Sequence, residues 1–466
     1  MKTNYNFKKQ FLLFFLLFVS SFSFGQCWNS VSGGTFHSAG VKNDGTLWTW
    51  GYNVDGQCGQ GNNINNYPIP TQIGNQNNWL KVFAQSKSTF AIKTDGTLWA
   101  WGLNNFGQLG DGSTVNKNTP VQIGTETTWS KVASGFGHTL GLKTDGTVWG
   151  WGTNLDGQLG VGSSISSSFS PIQIGTASDW SDISVGGQHS LLLKSNGTLW
   201  SCGYNNKGQL GIGNNSNVNT PTQVGVENLW TSISCGVDFS AGIKNNFLFT
   251  WGNNSSGQLG IGNNSNQNIP TQVTNVGEWN YISTGAFFTI ARKTDGNLWS
   301  WGINTDGQLG NGSTMGAGQK SLVPVLVSIS NDIVQINGSG FHILSVKSDG
   351  ELWSWGLNGS KQLGNNTTLN SNVPIGIPCP TTLNIDNYSK IEFSYYPNPT
   401  NDIVNVLSQS ETINQINVYD ITGRLLKSQT GNNESEIISL QELPSAMYLI
   451  EVKTQQGSKT VKIIKQ

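Results

Sequence analysis

A chain of 466 residues has room for about three average domains. Its 59 glycines are almost twice the ~7 % norm but follow no Gly-X-Y period, which excludes collagen. Charged residues make up only 11 % and the net charge is -1, which removes the electrostatic basis for nucleic-acid binding, while 18 Trp and 20 Phe exclude a solvated, disordered chain.

The first segment reads as an address. Lys2, Lys8 and Lys9 precede an apolar run from Phe11 to Val19, and Ser23 and Gly25 provide the small residues of a cleavage site. This is the pattern of a secretory signal peptide, residues 1–25, with cleavage expected after Gly25. No later apolar run is long enough to span a bilayer as a helix.

The next stretch repeats. Glycine follows the second position of a tryptophan doublet at Gly51, Gly102, Gly152, Gly203, Gly252, Gly302 and Gly356, in steps of 51, 50, 51, 49, 50 and 54 residues. Asn lies two residues after each, from Asn53 to Asn358, and Gln recurs within Gly-Gln-Leu-Gly or a near variant at Gln57, Gln108, Gln158, Gln209, Gln258, Gln308 and Gln362. Each unit reads as four strands. The first is aromatic (Trp129-Ser-Lys-Val-Ala-Ser) and ends in a Gly-rich turn; the second is short (Thr139-Leu-Gly-Leu-Lys). Asp-Gly or Asn-Gly then suggests a type I′ hairpin, except at Asn245-Asn246 in the fifth unit. The third strand carries Trp-x-Trp-Gly and the fourth Pro-x-Gln-Ile/Val.

Period-two geometry sets Trp149 and Trp151 on one strand face and the small Gly150 on the other. The residue between doublet positions is small in every unit (Thr49, Ala100, Gly150, Ser201, Thr250, Ser300, Ser354), as expected where sheets stack face to face. Seven four-stranded sheets with both faces buried predict an all-β, seven-bladed propeller over residues 26–379. An open solenoid would want atypical polar end units, and the end units here are ordinary.

The motif Trp-x-Trp-Gly-x-Asn-x-x-Gly-Gln-Leu-Gly, with Gly-x-x-His before an Ile/Leu-Lys-x-Asp-Gly hairpin, resembles the regulator of chromosome condensation repeat. The match runs from about Trp28 to Ile377 and implies the same seven-bladed fold. Kelch propellers share the ~50-residue period, but their double glycines occur here only at Gly33-Gly34 and Gly186-Gly187.

After Pro380 the tryptophans stop, and residues 386 to 466 hold 7 basic and 9 acidic side chains. A linker over 380–390 and a small C-terminal β-sandwich over 391–466 are expected from the short alternating strands. Tyr396-Pro397-Asn398-Pro399-Thr-Asn-Asp402, Val418-Tyr-Asp420-Ile-Thr-Gly423-Arg424, Tyr448-Leu-Ile and Lys462-Ile-Ile-Lys465 resemble the type A sorting domain of the type IX secretion system. Ala446-Met447 stands where that family usually has Gly. The resemblance implies a bacterium of Bacteroidetes type, contact with the type IX machinery, and removal of this domain at export. The product would be secreted or held at the cell surface, with no membrane span.

The search for chemistry is brief. His37, His138, His189 and His342 share a slot that other units fill with Ser88, Phe239 and Phe288, so it reads as a packing position. One histidine per unit does not converge on a metal. No Gly-x-Ser-x-Gly elbow occurs, and the hairpin turns consume Asp44, Asp95, Asp145, Asp295 and Asp349. No catalytic residue, metal or cofactor is therefore expected. Functional residues should break the repeat, and two places do. Asp238 is one. The other is the lengthened loop Ser313–Ser321, where Ser313, Met315, Gln319 and Lys320 are the candidate binding residues.

Of five cysteines, Cys27 precedes the first unit and Cys379 follows the last. A closed ring brings these together, so a Cys27–Cys379 disulfide is expected, contributing on the order of 4–5 kcal/mol. Cys58 and Cys202 read as buried small hydrophobes, with Cys235 a possible neighbour of Cys202.

The expected function is a non-enzymatic, exported scaffold that binds an extracellular protein or glycan. The resemblance keeps extracellular protein binding in range, since the family includes a secreted bacterial β-lactamase inhibitor. It also implies guanine-nucleotide exchange as an alternative. The export signal and the ordinary third unit, with no wedge-like insertion, weigh against exchange. An extracellular hydrolase is the other alternative, weakened by the scarcity of acid pairs.

Overall fold

The computed structural model describes residues 27–273, 277–380, 393–408, 412–421, 423–454 and 458–466. The export signal expected over 1–25 and, apart from Pro380, the linker expected over 380–390 lie outside them. The chain divides into two units after Pro380.

In the first unit each sequence repeat is one antiparallel four-stranded sheet. The first contains β1 (Trp28–Gly33), β2 (His37–Lys42), β3 (Leu47–Tyr52) and β4 (Asn66–Gln72), in that spatial order. Five further sheets repeat the order, and the seventh runs β25 (Ile333–Gly338), β26 (His342–Lys347), β27 (Leu352–Gly356), β28 (Ser371–Ile377). Among the described residues the propeller therefore has seven blades, each cut from one continuous stretch of chain.

Tryptophan glues the blades together. The second doublet residue (Trp50, Trp101, Trp151, Trp251, Trp301, Trp355) is fully buried, with its indole against the preceding blade. Each donates Nε1–H to the carbonyl of that blade's repeat glutamine, as Trp101 does to Gln57 at 2.9 Å and Trp151 to Gln108 at 2.8 Å. Phe90, Leu98 and Leu109 of the second blade pack with Trp129, Val132 and Trp151 of the third, so the hydrophobic core lies between blades. In the fourth blade Cys202 takes the tryptophan's place, with Sγ 3.7 Å from the Gln158 carbonyl.

The ring closes by the same bonds. Trp50 Nε1 donates to Gln362 O at 2.9 Å, Ser38 Oγ donates to that carbonyl at 2.8 Å, and Gly340 N meets Gly34 O at 3.3 Å. Among the described residues no strand is exchanged across the joint. Instead Cys27 and Cys379 form a disulfide spanning 352 residues, and Lys42 Nζ donates to Pro380 O at 2.9 Å beside it.

The hairpins correct one expectation. At Asp44-Gly45 and its equivalents only the glycine has positive φ (79° at Gly45), which is a type I turn followed by a left-handed residue, not type I′. The aspartate is better used as an acceptor: Asp44 Oδ1 takes the N–H of Thr46 at 3.0 Å and its hydroxyl at 2.6 Å. Asn245-Asn246, the pair lacking glycine, is where both residues have positive φ, 49° and 64°.

The second unit is a sandwich. One sheet orders β29 (Phe393–Tyr396), β30 (Ile403–Ser408) and β33 (Ser435–Ser439). The other orders β32 (Leu425–Asn433), β31 (Ile413–Tyr419), β34 (Met447–Lys453) and β35 (Ser458–Ile464). Alternate residues such as Val404, Val406, Ile416, Val418, Ile450 and Val452 fill the space between them.

Candidate functional site

The first strand of every blade is the innermost, so seven free strand edges would face the axis. Six of these edges are instead capped by a side chain from the preceding blade, Ser32 Oγ donating to Ala84 O at 3.2 Å among them, while in the fourth blade Ile183 N turns to Asp182 Oδ1 of its own strand at 2.8 Å. Gln335 accepts from Val31 N at 3.3 Å and donates to Val31 O at 3.1 Å, and Asn337 Oδ1 accepts from Gly33 N at 2.7 Å. Ser184 Oγ accepts from Cys235 N (3.0 Å), Ser234 Oγ from Thr284 N (3.1 Å), and Ser283 Oγ from Gly338 N (2.8 Å). Gln85 caps Ser134 N in the same way. The belt satisfies edge groups that would otherwise be a pairing template.

Inside this belt runs a cavity of about 870 Å³. Its wall mixes small polar residues, including Ser32, Ser134, Ser184, Ser234 and Asn337, with apolar ones such as Phe83, Val185 and Tyr281. One mouth is aromatic. Phe341 is stacked on Phe36 with ring centroids 6.3 Å apart and lies 6.2 Å from Phe287, while across the mouth Phe136 is half exposed. The other end carries charge, with Lys131 on Asp182 and Lys81 reaching only the Ser130 carbonyl at 3.4 Å. These residues escaped the sequence reading because no one unit looks odd. The signal was in one slot, two residues into each first strand: Ser30, Lys81, Lys131, Asp182, Ser232, Tyr281 and Gln335 differ in charge and size where the next slot is Val or Ile in every unit.

The candidates named from sequence sit elsewhere. Ser313 Oγ accepts from Asn304 Nδ2 at 2.9 Å, Gln319 O accepts from Asn304 N at 2.8 Å, and Met315 packs against Gly307. Lys320 Nζ donates to Ser255 O and Asn264 Oδ1 of the preceding blade, both at 3.1 Å. The long loop thus spends its polar groups on the ring. Asp238 lies immediately before the buried Phe239, in the slot that holds Phe36, Phe287 and Phe341 in other blades. Desolvation holds its carboxyl above the usual range, opposed by the charge of Lys207.

All four histidines are buried and serve the frame. His37 Nε2 meets Thr89 Oγ1 at 2.8 Å, and His138, His189 and His342 meet Ser190, Ser240 and Ser38 at 3.1, 2.9 and 2.7 Å. Each hydroxyl gives its proton to a glutamine carbonyl, so the imidazole Nε2–H is the donor. Desolvation lowers all four pKa values to about 3, which keeps the rings neutral. Cys58, Cys202 and Cys235 are free thiols, and burial pushes Cys202 and Cys235 up to about 12.

In the sandwich, the sorting motif is mostly architecture. Asn398 donates to Lys462 O (3.0 Å) and accepts from Ile464 N (2.9 Å), fastening the segment that holds Pro397 and Pro399 to the last strand. Lys465 Nζ, buried, donates to the carbonyls of Leu440, Gln441 and Leu443 at 2.8, 3.2 and 2.7 Å and lies 3.5 Å from Asp402. Asp420 holds Arg424 Nε at 3.1 Å and accepts Gly423 N at its carbonyl, closing a turn where Gly423 has φ 86°. Tyr448 is buried with its hydroxyl on Pro444 O at 2.6 Å. Tyr396 and the Lys462 side chain remain exposed.

A closed propeller with a capped axial channel, followed by a sorting-type sandwich, defines the class of protein: a repeat scaffold built for export. The family model for the RCC1-like domain matches residues 18–331, and models of the regulator of chromosome condensation (RCC1) repeat match 333–362 and 349–387. The chain belongs to the RCC1-like domain family. The secretion system C-terminal sorting domain matches residues 394–466, which marks the chain for type IX export to the cell surface or beyond. Among the described residues no helix is long and apolar enough to cross a membrane.

Among curated relatives, the ultraviolet-B receptor UVR8 of Arabidopsis thaliana is 29 % identical over 225 residues, 47 % of this chain and 51 % of that protein. The X-linked retinitis pigmentosa GTPase regulator homolog of Caenorhabditis elegans is 40 % identical over 92 residues, 19 % of this chain and 7 % of its own length. The chain thus spans about half or less of these relatives. The solved structure of human WBSCR16 superposes with a TM-score of 0.64 at 22 % identity, covering 72 % of this chain and 94 % of that one. Yeast RCC1 (Prp20) does so at 0.63 and 19 %, covering 73 % and 84 %. These likenesses show the fold.

Proposed function

We propose that this protein is an exported, non-enzymatic propeller that binds an extracellular protein or glycan. The observation that supports the reading is the axial cavity of about 870 Å³, within the ~300–1,000 Å³ range of ligand sites and opening through a mouth that carries Phe136, Phe287 and Phe341. The groups most suited to nucleophilic or acid–base chemistry are committed elsewhere: the histidines are neutral bridges between blades, and the Cys202 and Cys235 thiols are pushed up to about 12 by burial. The rigid, covalently clasped ring suits a protein that works outside the cell.

The full chain, immobilised and exposed to culture-medium proteins and to a glycan array, is expected to retain a saturable partner. Turnover of polysaccharide or peptide pools, with no saturable partner on either surface, would overturn the reading in favour of a hydrolase.

A further inference from the structure

The channel has a polarity that suggests what fits it. Lys131 is neutralised by Asp182, but Lys81, at the same level of the wall, has no acidic partner within 4 Å among the described residues. Among the described residues its ammonium makes one hydrogen bond, to a carbonyl at 3.4 Å, so its charge faces the cavity without an acidic partner. At the opposite mouth Phe136, half exposed, and Phe341 present apolar ring surface. Between the two lie hydroxyls and amides interleaved with apolar side chains. A ligand matching all three layers is an elongated polar molecule with flat apolar faces at one end and an anion at the other.

The belt of capping side chains decides which such molecule. An extended peptide would gain affinity by pairing with free strand edges. Here those edges are already bonded to Gln335, Asn337, Ser184 and Ser234, so the channel offers side-chain hydroxyls and amides rather than a backbone ladder. A fatty acid would still have to desolvate the serines, asparagine and glutamine that share this wall with apolar side chains, at a cost. We infer that the channel takes a carboxylate-bearing saccharide of the uronic-acid class, its carboxylate on Lys81 and a sugar face against Phe136. Hydroxyl-rich sugars exchange hydrogen bonds with this wall, and a carboxylate on an uncompensated ammonium forms the stronger, charge-assisted kind.

This inference rests on the binding-scaffold reading and is separable from it. Titration calorimetry of the full chain with oligogalacturonate, the neutral oligogalactose of equal length, an acidic hexapeptide and a C12 carboxylate tests it. Saturable binding of oligogalacturonate above the other three is expected. Lys81→Gln is expected to weaken it by ~10-fold or more and to leave the thermal midpoint unchanged, because Lys81 is exposed. Phe136→Ala should weaken acidic and neutral sugars alike. Equal affinity for the neutral sugar, preference for the peptide or the fatty acid, or an unchanged affinity in K81Q would each overturn the channel assignment. A partner captured from medium whose binding K81Q does not alter would overturn it too, while leaving the scaffold reading intact.

Discussion

His342 of the last blade donates from Nε2 to Ser38 Oγ of the first at 2.7 Å, and Ser38 passes its own proton to Gln362 O at 2.8 Å. The same relay joins His138 to Ser190 and His189 to Ser240, so the ring is sewn together by neutral imidazoles.

That neutrality makes the propeller acid-sensitive. Protonation would have to place a charge in a dry joint, and in His37, His138 and His189 the buried Nδ1 has no hydrogen-bond partner. The folded pKa lies near 3, against an ordinary value of 6.5, so the unfolded chain binds more protons between those limits. Stability is therefore complete above about pH 6.5 and declines as pH falls toward 3, by up to about 1.4 kcal/mol per pH unit for each histidine. Urea unfolding at pH 7 and pH 5 should show this loss. His189→Phe copies the slot's occupant in Phe239 and Phe288 and should flatten the dependence; an unchanged slope would refute the assignment.

The Cys27–Cys379 disulfide closes a loop of 352 residues where, among the described residues, no strand is shared. Reduction, or Cys27→Ser with Cys379→Ser, should lower stability by about 4–5 kcal/mol in the chain-entropy view. Hydrogen exchange should rise first in the first and last blades. Uniform loss of protection around the ring would show that the clasp does not govern the joint.

Gly364 sits in that joint with φ +78°, and a Cβ there would lie 2.8 Å from Trp50 Nε1. Gly364→Ala therefore combines a left-handed backbone with displacement of the Trp50 bond to Gln362. The expected cost is about 2–4 kcal/mol in urea unfolding. Gly124→Ala, also at positive φ but with nothing within 4 Å of its Cβ, should cost only the backbone part.

The ammonium of Lys465 fills a nest of three carbonyls inside the sandwich. Lys465→Ala strips those acceptors of their donor, and an unpaired buried polar group costs about 1–3 kcal/mol. Surface or medium levels of the full chain should fall in this variant and be spared by Lys462→Ala, whose side chain is exposed. Equal export of both would separate recognition from folding of the domain.

The Trp doublets, spaced glycines and repeating glutamines were legible because a periodic fold must repeat its packing residues at fixed chain spacing. The blade count, the small residues between doublet positions and the pairing of Cys27 with Cys379 follow from that spacing and from closure. Turn geometry was less legible. Asp-Gly serves two hairpin types, and the Asp44 side-chain bonds to Thr46 accompany the one seen. The lengthened loop breaks the repeat visibly, but whether Lys320 faces solvent or the neighbouring blade depends on a residue 65 positions away.

By itself the amino-acid order determined the number of sheets, the interleaved aromatic core and the export tail, since each depends on local pattern and repeat length. Only the assembled ring decided that six of the inner edges would be capped by neighbours and that Lys81 would stand unpaired opposite Phe136. Those relations join residues tens to hundreds of positions apart, and no local preference encodes which side chains meet across a closed axis.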